Sequence, residues 1–223
     1  MGAVAGIVAL WLAFAVSHMA LSSLKLRPRL VELLGTRGFQ VAYSVIALAI
    51  FVPLMALYFD NPHAGPHLWY LGYQPAVRGV MYAVMAVALA LVVGGATSPS
   101  PASLIPGKAE VRGLFRITRH PLLMGLAVFG AGHLLTANVN LAELAFFGGF
   151  VLFPLVGCWH QDQRKLATLG DEFRTFYEQT PFLPFTGPGA IRGLMEQPVA
   201  ALLGALATGV IRYFHQGWFG GAA

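Results

Sequence analysis

The sequence predicts an all-α fold, a polytopic transmembrane helical bundle of about six spanning helices with short amphipathic helices on its cytoplasmic face. Three observations predict it. Only 10% of the 223 residues are charged and 57% are apolar, whereas soluble domains run near 25% charged; too little polar surface remains to cover a water-soluble globule. The charges also cluster, leaving uncharged runs over Met1–Leu24, Gly38–Phe59, Gly79–Gly107, His120–Ala142, Leu144–Gln161 and Gln197–Ile211. A bilayer core of about 30 Å needs roughly 20 apolar helical residues, so five of these runs are long enough and the last is borderline. Finally, the basic residues alternate between the loops. Lys25, Arg27, Arg29 and Arg37 follow the first run, Lys108, Arg112, Arg116 and Arg119 follow the third, and Arg164, Lys165, Arg174 and Arg192 follow the fifth.

Only Arg78 and Arg212 fall in the opposite segments, so 12 of 14 basic residues share one side. The positive-inside rule places that side in the cytoplasm and both termini outside. The formal charge of +5 is therefore a topology signal and not a nucleic-acid footprint. No Lys or Arg precedes the first run, so it lacks the basic start of a signal peptide and reads as a retained span.

In order, the first helix is expected over about Ala3–Leu26, stopped by Pro28, with a short amphipathic segment Arg29–Thr36 ended by Gly35 and Gly38. The second covers about Phe39–Tyr58 with a kink at Pro53. Asp60–Gln74 reads as an external loop whose Trp69, Tyr70 and Tyr73 suit the membrane interface. The third helix covers about Val77–Ala96, and Pro99, Pro101 and Pro106 make the following stretch a loop. The fourth starts at Pro121, the favoured first helical position, and a short turn at Asn138–Asn140 leads to the fifth, which Pro154 bends. Asp162–Gln179 reads as an amphipathic helix lying along the membrane, because Phe173, Phe176 and Tyr177 share one face at i, i+3, i+4. A Pro/Gly-rich turn, Pro181–Gly189, precedes the sixth helix at about Pro198–Phe214. Residues 1–223 are expected to form a single domain.

Ionisable groups inside a bilayer mark functional sites. The acidic residues fall in loops or in the amphipathic segment, with Glu143 at an external helix end, whereas His18 and His133 lie inside the first and fourth helices. At about 1.5 Å per residue, His18 is roughly 15 Å from Pro28 and His133 roughly 18 Å from Pro121. Counting from Lys25 and Arg119 instead gives about 10 and 21 Å, so depth permits a shared site without requiring one. Zinc wants a third or fourth ligand, and no carboxylate or thiol is expected at that depth; haem needs one or two axial ligands and an apolar slot. Gly125, Gly130 and Gly132 flank His133 and would leave that slot open. The lone Cys158 excludes an internal disulfide, covalent haem attachment through CxxCH and a thiolate cage. Two cytoplasmic constellations, Arg119-His120-Pro121 preceded by Arg116, and His160-Gln-Asp162-Gln-Arg164-Lys165 followed by Gly170–Phe173 and Thr180–Phe185, each mix His with Arg and suit a propionate, polar headgroup or anionic cofactor. His63 and His67 are spaced i, i+4, but Pro62 and Pro66 exclude the helix a metal pair would need.

Ser17-His18, Gly38-Phe-Gln-Val-Ala-Tyr43-Ser44, Arg119-His120-Pro121, Gly132-His133-Leu-Leu and His160-Gln-Asp-Gln-Arg164-Lys165 together resemble the NnrU family, from the first helix (about residue 3) through Phe185. That family is similar to the membrane 15-cis-ζ-carotene isomerases. The resemblance implies non-covalent haem b with His18 and His133 as axial ligands. It further implies an isomerase of a polyene entering from the bilayer, with iron as Lewis acid or one-electron relay. The isomerases carry an alternative cysteine ligand three residues before the second His; here that position is Gly130, which argues against ligand exchange by that route. The family name points equally to a non-catalytic haem protein that senses or handles nitric oxide in denitrification. More distantly, Arg-His-Pro before an apolar helix resembles membrane methyltransferases dependent on S-adenosylmethionine, which would place Arg119, His120 and Asp162 at the cofactor.

Overall fold

The computed structural model describes residues 1–103, 107–108, 110–136 and 138–219. The expected loop proline Pro106 lies outside the described residues. Helices α1 (Gly2–Leu21), α2 (Leu26–Phe59), α3 (Pro75–Thr97), α5 (Leu141–Leu169) and α8 (Pro198–Phe219) are long, and α4 (Pro121–Thr136), α6 (Asp171–Gln179) and α7 (Ala190–Met195) are shorter. Among the described residues, α1, α2, α3, α5 and α8 are long and apolar enough to cross a membrane. Large apolar side chains such as Leu12, Val16, Val41, Leu152 and Val199 stand exposed along these helices, which water would penalise and lipid would not. The chain is an all-α, multi-pass membrane protein.

Several boundaries differ from expectation, each for a local reason. Pro28 does not stop α1. That helix ends at Leu21, where Ser22 donates its hydroxyl to the His18 carbonyl at 2.7 Å, and Pro28 instead lies in the first turn of α2, where its missing N–H costs nothing. The break foreseen at Gly35 is real: φ is 69° and ψ 166°, a backbone that a side chain would strain. The fourth span is the short one. Its 16 residues rise about 24 Å, below the bilayer core, whereas α8 continues to Phe219, past the expected end at Phe214, with Arg212 donating to the Tyr82 hydroxyl at 2.7 Å. Two short strands were not foreseen. His67–Tyr70 (β1), inside the expected external loop, pairs with Asn138–Asn140 (β2), expected as a turn.

The chain divides into two compact units, Met1–Trp69 with Asn138–Gly149, and Tyr70–Ala137 with Phe150–Ala223. In the first, α1 packs on α2 around the fully buried Ile7 and Leu54. The Trp11 indole donates to the Phe146 carbonyl at 3.1 Å, and Gly149 leaves room for that ring, which a Cβ would strike. Tyr58 stacks flat on Phe146, 3.8 Å between centroids.

In the second unit α3 is the central helix, held to its neighbours through small residues. Cβ atoms placed at Gly95, Gly125 and Gly204 would collide with the Leu122 backbone, the Ala88 carbonyl and the Ala86 carbonyl. This close approach suits helix association in lipid, where burying apolar surface gives no drive and van der Waals contact must supply it. The segment Asp162–Gln179 is not one helix. Asp162–Leu169 continues α5, Gly170 turns the chain at φ 58°, and α6 follows. Its aromatic face does not lie on lipid either: Phe173 and Phe176 are fully buried against Phe115, Ala102 and Leu166, leaving Asp171, Glu172 and Arg174 exposed. The face is apolar because protein covers it.

Candidate functional site

The Arg-His-Pro segment is buried, not interfacial. Thr118, Arg119 and His120 are all 6% exposed or less. A polar segment can be sequestered only if its groups are satisfied, and the Thr180–Phe185 stretch does this. Arg119 N–H donates to the Pro181 carbonyl at 2.9 Å, Phe185 N–H to Ile117 at 3.2 Å, and the Thr118 hydroxyl to Phe182 at 2.7 Å. The Arg119 guanidinium donates to Asp162 Oδ2 at 2.7 Å and to the Thr180 carbonyl at 2.8 Å, with the rings of Tyr177 and Phe182 4.2 and 5.1 Å away. Asp162 Oδ1 accepts from His120 Nε2 at 2.8 Å. Burial pushes the His120 imidazole below its ordinary pKa; Asp162 opposes this, and the charges of Arg119 and Lys165 reinforce it. A neutral imidazole that gives its Nε2–H to Asp162 carries its lone pair on Nδ1.

Arg116 does not join this cluster. It turns to Glu196, Nε to Oε2 at 3.0 Å, and Glu196 also accepts from Gly113 N–H at 2.7 Å and from Arg192 at 2.8 Å. The Gly113 amide, then Arg116, hold the Glu196 carboxyl down at about 2. The expected set Arg116, Arg119 and His120 therefore splits between two places.

His18 and His133 belong to different compact units, and each repeats the same local arrangement. His18 Nδ1 donates to the Phe14 carbonyl at 3.0 Å, and its ring lies tilted against Phe14, 4.0 Å between centroids. His133 Nδ1 donates to the Phe129 carbonyl at 2.9 Å, and its ring lies tilted against Phe129, 4.3 Å between centroids. An i−4 carbonyl bond of this kind selects the tautomer with its lone pair on Nε2 and fixes the ring plane. Tyr43 packs edge-on against His18 at 4.8 Å. Both rings are half-buried. The glycines beside His133 do not hold open a slot. Gly132 is closed by Met85 and Gly125 by Ala88 and Val92, all of α3, and Gly130 is buried.

A family model described as NnrU protein matches residues 6–223, the whole of the last helix included. The chain belongs to the NnrU family. Among curated proteins, this NnrU chain is similar to the chloroplastic 15-cis-zeta-carotene isomerase of Arabidopsis thaliana, 28% identical over 182 residues, 78% of this chain and 47% of that protein. It is also similar to the enzyme of the same description from Zea mays, 24% identical over 180 residues, 77% and 47%. It thus spans about half the length of the relatives it matches. No solved structure matches significantly.

Two residues of the NnrU chain matter more than the sequence suggested. Asp162, assigned to a surface helix, is 1% exposed and joins Arg119 to His120; Glu143, expected at an external helix end, is also 1% exposed. Glu143 accepts from Asn140 N–H at 3.0 Å and from both the backbone and Nδ1 of His63 at 2.9 Å. Asn140-Leu-Ala-Glu143 has the spacing of a capping box, a signal that could have located this carboxylate. For Asp162 no local pattern exists, since both partners lie more than 40 residues away in sequence.

Proposed function

We propose that the protein is a haem-b-dependent cis–trans isomerase of a polyene lipid, in which His18 and His133 would hold the haem iron, in an inner membrane with both termini external. Family membership and the similarity to two carotene isomerases support the reaction class. The single observation that carries the ligand assignment is the repeated phenylalanine–histidine arrangement. In each, the Nδ1–H is given to the carbonyl four residues earlier, the second-shell bond that metal-ligating histidines characteristically make. Bound haem would supply an iron that acts as a Lewis acid or one-electron centre on an extended double-bond system. The chain's part is to hold the imidazoles in one tautomer and, through Phe14, Phe129 and Tyr43, in one ring plane. The exposed apolar helices give a polyene access from the bilayer without crossing water.

The test is the absorption spectrum of detergent-purified protein, reduced and oxidised, for wild type, His18→Ala, His133→Ala and His63→Ala. The expected result is a Soret band in wild type and His63→Ala that is lost or grossly shifted in the other two. Wild-type haem content and spectrum in both His18→Ala and His133→Ala would overturn the ligand assignment. Conversion of 15-cis-ζ-carotene in membranes, followed by chromatography, tests turnover separately; a normal Soret band without conversion would retain the haem and reject the isomerase.

A further inference from the structure

Arg78 and Arg212 are the two basic residues that depart from the side shared by the other 12. Each lies three residues inside the end of an apolar span, Arg78 in Pro75–Thr97 of α3 and Arg212 in Pro198–His215 of α8. These helices run antiparallel within one compact unit, and close contacts fix their register. A Cβ at Gly94 would meet Ala200, and one at Gly204 would meet the Ala86 carbonyl and the Ala90 amide. Gly204 therefore stands level with about residue 88, and from there Arg212 lies about 12 Å farther along α8 and Arg78 about 15 Å back along α3. The two arginines share one level to within about 3 Å.

Tyr82 stands between them. Its hydroxyl accepts from Arg212 Nε at 2.7 Å, and the guanidinium carbon lies 5.4 Å from its ring centre. Arg78 precedes it by four residues, on the same face of α3. Among the described residues neither guanidinium has a carboxylate partner. The acidic residues of this unit all belong to its opposite end. Glu110 and Glu196 pair with Arg112 and Arg116, Asp162 holds Arg119, and Asp171, Glu172 and Glu178 belong to α6, which packs on Phe115. Two like charges at one level repel each other, and Arg78 also stands in the first turn of α3, where the helix end is positive. An anion between the two removes both costs. Tyr82, which accepts from Arg212, still has its own O–H to donate to that anion.

A lane for an acyl chain leads away from this point into the membrane. Leu202, Ala205, Gly209 and Arg212 recur at spacings of three, four and three, so they share one face of α8, and all four are exposed. A Cβ at Gly209 would meet nothing within 4 Å, so the surface directly below Arg212 is open. A free ion has no use for this apolar lane; a lipid fills it.

We propose that the Arg78–Tyr82–Arg212 cluster binds the phosphate of an anionic phospholipid, in the leaflet opposite the Lys108–Arg119 loop, with an acyl chain along Leu202, Ala205 and Gly209. A zwitterionic lipid brings its own cation and leaves the two arginines unbalanced, so the cluster selects a headgroup of net negative charge.

The experiment is native mass spectrometry of purified full-length protein in detergent, titrated with phosphatidylglycerol or phosphatidylcholine. The first phosphatidylglycerol should bind about ten-fold more tightly than the first phosphatidylcholine, the gain of cations facing an anionic headgroup. Arg78→Gln and Arg212→Gln should each weaken phosphatidylglycerol about five-fold and the double variant roughly twenty-fold. The double variant Lys108→Gln, Arg174→Gln removes the same charge from the other end and should leave that first affinity within about two-fold. If Arg212→Gln does not fold without its Tyr82 bond, Arg78→Gln decides, since that side chain has no such bond to lose. Millimolar inorganic phosphate should displace none of the bound lipid. Equal affinity for the two lipids, full affinity in the arginine variants, an equal loss in the charge-matched control, or displacement by inorganic phosphate would overturn the proposal.

Discussion

His120 Nε2 lies 2.8 Å from Asp162 Oδ1, and Arg119 Nε lies 2.7 Å from the other oxygen of the same carboxylate. One buried aspartate thus holds two consecutive residues of the chain, and Asp162 is the joint between the α4 entry and α5. Removing one member of a buried ion pair leaves an uncompensated charge, at a cost of about 3–5 kcal/mol. Asp162→Ala should therefore be among the most destabilising single changes, with a large fall in unfolding midpoint in detergent. The double change Arg119→Met, Asp162→Leu should recover much of the loss, since apolar replacement of a buried pair is often neutral.

Glu196 makes stability acid-sensitive in a defined window. Its folded value is held at about 2, first by the Gly113 amide and then by Arg116, against an ordinary value of 4.5. A depressed carboxyl contributes stability that is fully present above the unfolded value and is lost as pH falls through the folded one. The gap in unfolding midpoint between wild type and Glu196→Gln should be widest above pH 4.5 and shrink steadily toward pH 2. A gap that stays constant with pH would show that the carboxyl acts through shape alone.

The glycines of α4 should tolerate very different substitutions from those of α5. A Cβ at Gly125 would stand 2.7 Å from the Ala88 carbonyl and 2.9 Å from the Val92 amide, backbone atoms that cannot swing away. Gly125→Val should cost at least the 1–3 kcal/mol typical of overpacking. Gly148→Ala meets nothing within 4 Å and should be neutral or slightly stabilising. Unfolding midpoints of the two variants measure the contrast directly.

Phe176 anchors α6. It is fully buried and meets Phe115 edge-on at 5.6 Å. Truncating a buried phenylalanine costs about 3–5 kcal/mol, and here the loss falls on one nine-residue helix. Phe176→Ala should raise the hydrogen-exchange rate of the α6 amides and open the Gly170 turn to protease, while exposed Arg174→Ala leaves both unchanged.

The positive-inside topology yields a separate expectation. Reporter fusions in the Lys108–Arg119 loop should read cytoplasmic, and fusions at either terminus should read external. The reverse pattern would show that the 12 basic residues sharing one side do not set the orientation.

Sequence reading put His18 and His133 inside helices and named Arg119-His120-Pro121 and the His160–Lys165 stretch with Thr180–Phe185 as two separate cytoplasmic sets; the fold joins Arg119, His120, Asp162 and Thr180. It placed the Gly35 break and the start of α4 at Pro121 for local reasons, a positive φ and a missing N–H. It erred where a segment's burial depends on a distant partner. The aromatic face of α6 looked like a lipid-facing face because periodicity says that a face is apolar, never what covers it. Gly125 and Gly132 looked like room for a cofactor because a missing Cβ reads the same whether a ligand or Met85 fills the space.

Composition and charge order by themselves determined that this chain is a helical membrane protein, because a bilayer accepts only long apolar segments whose backbone bonds are satisfied internally. Tertiary structure alone decided that Asp162 is buried between Arg119 and His120, and that Arg116 parts from Arg119 to meet Glu196. Those facts rest on hydrogen bonds between residues 42 to 80 positions apart. Short-range periodicity carries no information about such pairs, since they form only when packing sets the two segments side by side.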